Sequence, residues 1–115
     1  MTVDEIVTQA LLTEFQQSQI YHDNLPENGG YPMIMYTDLS ESPVLHADNM
    51  LYGKEHVIRV TIVTSGNAGI NALKDLVYNA MIDAGFMWQN THKVHDKNEY
   101  YTSLDFSIAR RLENV

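Results

Sequence analysis

The sequence predicts an α+β domain with two helices packed on one face of a four-stranded mixed or antiparallel sheet, in the order α-β-β-α-β-β. Three runs of residues carry that prediction. Thr102, Leu104, Phe106, Ile108 and Leu112 alternate with Ser103, Asp105, Ser107 and Arg111, so a strand beginning near Tyr100 has one apolar face. Ile70, Leu73, Leu76, Val77, Ala80, Met81 and Ala84 recur at intervals of three and four, the stripe that a helix buries against a sheet. From Glu55 to Thr64 the chain is dense in β-branched residues, whose stiff side chains suit a pleated surface, and this run is expected to be the central strand.

Each element has a local reason. Thr2 and Glu5 have the spacing of a capping box, and Ile6, Ala10, Leu11 and Phe15 continue as a helical stripe, so a first helix is expected from Val3 to about Gln17. Pro26, Asn28, Gly29 and Gly30 then reverse the chain. Tyr31 to Leu39 reads as a strand, with Pro32 at its start or edge because proline cannot donate a ladder hydrogen bond. Ser40 to Gly53, broken by Pro43, Asp48, Asn49 and Gly53, reads as a long loop of the kind that carries function in a small domain. Asn67 or Ser65 is the expected cap of the second helix, and Gly85 its left-handed end. Phe86 to Val94 is a third strand, with Phe86, Trp88 and Asn90 on one side and Met87 and Gln89 on the other. The polar turn from His95 to Glu99 joins it to the last strand as a hairpin.

A chain of 115 residues has room for one core, so residues 1–115 are expected to form one domain with a loop at 40–53. Seven basic against fifteen acidic residues give a formal charge of -8, which repels phosphate backbones and argues against specific nucleic-acid binding. The absence of cysteine excludes disulfides, thiolate metal sites and a cysteine nucleophile. Neither a basic-apolar leader nor an apolar run of the roughly 20 residues that span a bilayer is present, so no membrane partner is expected and the chain reads as soluble and cytoplasmic.

The residues competent for chemistry do not assemble into a reactive spacing. His92, His95 and Asp96 are potential metal ligands, but a strand puts the two imidazoles on opposite faces and the turn leaves Asp96 in water. His46 reads as a solvated loop residue and His56 as a satisfied strand residue. Asn67, Ala68 and Gly69 open a helix without a phosphate-binding glycine pattern, and Ser65-Gly66 lacks the frame of a nucleophile elbow. Asp4 with Glu5, and Glu41 with Asp48, lie in solvated segments that offer no apolar pocket to raise a carboxyl pKa. No enzymatic activity, metal or cofactor is therefore expected.

With the elements placed, the chain resembles the tail-completion, or tail-to-head joining, proteins of long-tailed bacteriophages and prophages. The likeness lies in Tyr31-Pro32-Met33-Ile34-Met35-Tyr36, in Lys54-Glu55 before Val57 to Val63, in Asn71-Ala72-Leu73-Lys74, in Ala84-Gly85-Phe86 and in Phe106 to Arg111. It is one of order and spacing, without a sharp motif. It implies a small α+β structural subunit, related in fold to tail terminators, that forms a ring of about six copies between head connector and tail tube. The implied location is the virion, at the head-tail interface, with assembly in the host cytoplasm. DNA would pass through such a ring without being bound specifically, and an acidic wall would ease its passage.

The expected subunit interface comprises Leu45, Met50 and Tyr52, apolar residues of the irregular segment, together with Trp88, Arg110 and Arg111. A different class of function, a small-molecule-binding or regulatory α+β module, would instead line a pocket between helix and sheet with Tyr36, Trp88 and Phe106.

Overall fold

The computed structural model describes residues 2–27, 29–45 and 51–111, and the side chains of these except at positions 45, 51, 52 and 111. The sheet has five strands in the order β1-β2-β3-β5-β4, where β1 is Ile20–His22, β2 Met33–Leu45, β3 Leu51–Thr64, β4 Met87–Asp96 and β5 Glu99–Arg111. Helix α1 is Val3–Leu12 and α2 is Ile70–Asp83. Only β1 runs parallel to its neighbour; the β2/β3, β3/β5 and β5/β4 pairs are antiparallel, which makes the sheet mixed.

The helices cover one face. Ile34 and Tyr36 of β2, Ile58, Val60 and Ile62 of β3, and Leu104 and Phe106 of β5 are all buried and lie side by side in register. Val3, Val7 and Leu11 of α1 and Val77 and Met81 of α2 complete the same cluster. Each residue comes from the helical or two-residue period that its element imposes. The Tyr36 hydroxyl also meets the Thr8 hydroxyl at 3.0 Å, which pins α1 across the sheet.

Four expectations need correction. The sheet has a fifth strand, β1, because Ile20–His22 follows a short 3₁₀ turn and pairs with Ile34, Met35 and Tyr36; a three-residue strand is too short to have a visible period. Helix α1 stops at Leu12 rather than Gln17, since the Thr13 hydroxyl donates to the Ala10 carbonyl at 2.7 Å and closes the last turn. The expected loop at 40–53 is largely sheet: residues 40–45 extend β2 and 51–53 extend β3, with Pro43 in register with Lys54 on the outer edge of β2. Proline is tolerated in an edge strand, so its presence there did not mean a break. The N-cap of α2 is Gly69, at φ 78° and without a side-chain bond, rather than Asn67 or Ser65.

Other local expectations hold. Thr2 and Glu5 form the reciprocal box, with the Glu5 amide donating to the Thr2 hydroxyl at 3.2 Å and the Thr2 amide to the Glu5 carboxylate at 3.3 Å. Gly85 has φ 99°, the left-handed conformation expected after α2. The segment before β2, with a cis Tyr31-Pro32 bond, crosses the face away from the helices; a side chain on Gly29 would collide with the Met33 sulfur at 2.6 Å and Pro26 at 2.8 Å. That close approach buries Met33 beside Val63.

Beyond the helices, β2, β3 and the end of β5 continue as a three-stranded arm. Its helix-side row is polar: Lys54 meets Glu41 at 2.7 Å and His56 meets Asp38 at 3.3 Å. The molecule measures 51 × 24 × 24 Å as a result.

Candidate interaction surface

Strand β4 is the outermost strand on its side of the sheet, and nearly all of it is exposed. An outer strand leaves one row of amides and carbonyls unpaired along its length. On the helix side of this edge Trp88 stands 48% exposed, its ring edge-on to Tyr78 of α2 at 6.4 Å. The Trp88 indole N–H donates to the Thr91 hydroxyl at 3.1 Å, holding the ring along the strand. Lys74, Asp75, Tyr78, Trp88, Thr91 and Leu104 enclose a groove of 190 Å³. Met87 and Val94, 70% and 60% exposed, add apolar surface on the opposite side of the same strand.

A bulge at Gln89 decides which β4 residues share a face. Trp88 pairs with Phe106, but Asn90 pairs with Asp105, so Asn90 joins the side of Met87 rather than that of Trp88. The expected strict alternation across Trp88 and Asn90 is thereby corrected. His92 and His95 remain on opposite faces: His92 lies 3.4 Å from Asp105, whereas His95 stacks on Tyr100 with centroids 4.0 Å apart.

The face away from the helices carries the main charged cluster. Asp105, 4% exposed, receives two bonds from Arg59, Nε to Oδ1 at 2.8 Å and a terminal nitrogen to Oδ2 at 3.1 Å. The Arg59 hydrogen bonds hold the Asp105 carboxyl below its ordinary range against the opposing effect of burial, and the same bonds raise Arg59. Thr61 and Ser103 share a 3.0 Å hydroxyl contact beside it. Farther along, Tyr31 and Tyr101 both donate to Glu99, at 2.8 and 2.9 Å, and these bonds push both phenols upward. Neither cluster was singled out in the sequence. The alternation of β5 puts Asp105 opposite the apolar row, but only pairing with β3 brings Arg59 to it.

Of the expected interface residues, Trp88 is on the exposed β4 edge and Arg110 is half-buried in β5, in register with Lys54. Leu45 ends β2, Tyr52 lies in β3 and Arg111 ends β5, all at the arm's far end, but their side chains lie outside the described residues, as does Met50 altogether. Of the residues of the alternative pocket, Trp88 and Phe106 are cross-strand partners, but Tyr36 and Phe106 are packed in the core and neither lines the groove beside Trp88. No buried side-chain nitrogen or oxygen lacks a partner among the described residues.

No family model matches the sequence, and no curated protein matches it. Among solved structures, the chain is similar to one described as "Virion of native gene transfer agent (GTA) particle", with a TM-score of 0.60 and 17% identity over 95% of this chain and 93% of that one. The likeness is one of fold.

Proposed function

We propose that this chain is a structural subunit of a phage-like virion, one of a ring of about six copies that joins the tail to the head connector and has no catalytic role. The observation that carries the reading is the fold shared, over nearly the whole of both chains, with a chain of a gene transfer agent virion. The sequence likeness to tail-completion proteins, which lies in the order of short segments along the chain, supports the same reading. The exposed β4 edge and the arm supply two different surfaces, which a head-to-tail contact that closes on itself requires.

In this role the chain resides in the virion at the head-tail interface, after assembly in the host cytoplasm, and its partners are further copies, the tail tube and the head connector. The formal charge of -8 suits a passage through which DNA slides without binding. Removing the gene from a phage or prophage that encodes it is expected to leave full heads and separate tails in cryo-electron micrographs, and the chain supplied in trans to restore joined particles. Joined, infectious particles lacking the chain would overturn the proposal.

A further inference from the structure

We propose that copies of this chain join edge to edge, with β4 of one copy adding as an antiparallel strand to the outer edge of β2, residues 37–44, of the next; this contact deepens, and rests on, the ring reading above. Among the described residues no strand pairs with either edge there. On one side the sheet ends at β4, and on the other β1 covers β2 only at Ile34, Met35 and Tyr36. The directions also fit. Successive antiparallel pairings make β4 run opposite to β2, so copies related by a rotation meet as an antiparallel pair, in which all outward amides and carbonyls face one another.

Irregularities in the two edges specify the register. Strand β4 bulges at Gln89 and β2 bulges at Leu39. Opposing Met87 to Val44 and Trp88 to Pro43, and letting each bulge stand out in turn, brings Asn90 to Ser42 and Lys93 to Asp38. In that register the side chains sort by chemistry. On the helix side the exposed Trp88 ring lies against Pro43, and the Lys93 ammonium reaches the Asp38 and Glu41 carboxylates. On the other side Met87 meets Val44. Pro43 has no N–H, so the ladder passes it through the side-chain contact with Trp88.

The offset between copies favours closure. Within one copy Trp88 is level with Phe106, Ile58 and Asp38. Opposing it to Pro43 of the next copy moves that copy along the strands by the interval from Asp38 to Pro43, which spans four residues of β3 because Leu39 is bulged, roughly 13 Å. The four strands β2, β3, β5 and β4 span about 19 Å across. The step from copy to copy lies in the plane of a ring when the strands tilt about 35° from its axis, at the lower end of the tilt at which closed sheets are built.

The chain contains no cysteine, so the contact can be read by introduced disulfides. Opposed residues on antiparallel strands lie within disulfide reach. Full-length Asn90→Cys/Ser42→Cys protein, oxidised over a concentration series, is expected to give a ladder of covalent multimers on non-reducing gels. Each single variant, and the out-of-register pair Asn90→Cys/Thr37→Cys, should stay at background. Adding Lys93→Glu should lower the ladder yield at least about tenfold through like-charge repulsion, and adding Asp38→Lys as well should restore it. Rings seen by native mass spectrometry without a ladder would overturn the edge contact while the ring reading stands. Monomer at every concentration without a ladder would also overturn the contact, and the particle experiment above would still judge the ring.

Discussion

At the scale of single residues, Asp105 is the side chain whose environment differs most from what its type and position imply. It is a carboxylate inside a sheet, kept ionised by the two bonds from Arg59 and approached by His92. Because its folded pKa lies below the unfolded value, the pair stabilises the fold above about pH 4 and the contribution fades as pH falls through the lowered folded value. Thermal melts are expected to show a steeper acid loss in the wild type than in Asp105→Asn. At neutral pH the variant should be less stable by about 1–3 kcal/mol, toward the lower end because Arg59 keeps 38% of its side chain in water and can be resolvated. Parallel acid profiles for the two proteins would contradict this account. Gly85, at φ 99°, predicts a second effect: Gly85→Ala should cost about 1–2 kcal/mol, measurable by urea unfolding, because a Cβ is disfavoured in that conformation.

At the scale of elements, legibility in the sequence depended on how local the deciding force is. Helix α2 is legible because Ile70, Leu73, Leu76, Val77, Ala80 and Met81 form one stripe and a left-handed glycine follows it. The capping box of α1 was legible for the same reason: its two bonds span three residues. Residues 40–45 are not legible as strand because a polar, proline-containing edge strand has no buried row to impose a period, and their pairing comes from residues 51–57 of β3. The bulge in β4 was equally hidden, since it is defined by the partner residues in β5. Deleting Gln89 tests its role. Without the extra residue Asn90 follows Trp88 directly, so positions 90–96 keep their partners in β5, His92 stays beside Asp105, and the strand loses only the local bend and twist of the bulge. Amide exchange at 90–96 should then be no faster than in the wild type; accelerated exchange there would show that the bulged residue itself holds the strand on β5.

At the scale of the whole molecule, the helices cover only part of the sheet and the arm extends past them. A domain of this length packed to ordinary compactness has a radius of gyration of about 13 Å, against 15.4 Å here. Small-angle scattering from dilute monomer should therefore give an elongated particle, and a compact, near-spherical profile would show that the arm folds back in solution. Elongation matters for the proposed role. A subunit whose sheet edges are offset and whose arm reaches outward can touch more than one neighbour, which a rounded domain of equal mass does less readily.

The sequence by itself determined the α+β class, the two helices, the central and final strands and the apolar rows that make the core, because periodicity and capping act within a few residues of chain. Tertiary structure alone decided the fifth strand, the extension of β2 and β3 into an arm, the bulged register of β4 and the meeting of Arg59 with Asp105. Each of these is a pairing between segments remote along the chain. Its free energy resides in ladder hydrogen bonds and cross-strand contacts that exist only after the strands have come together.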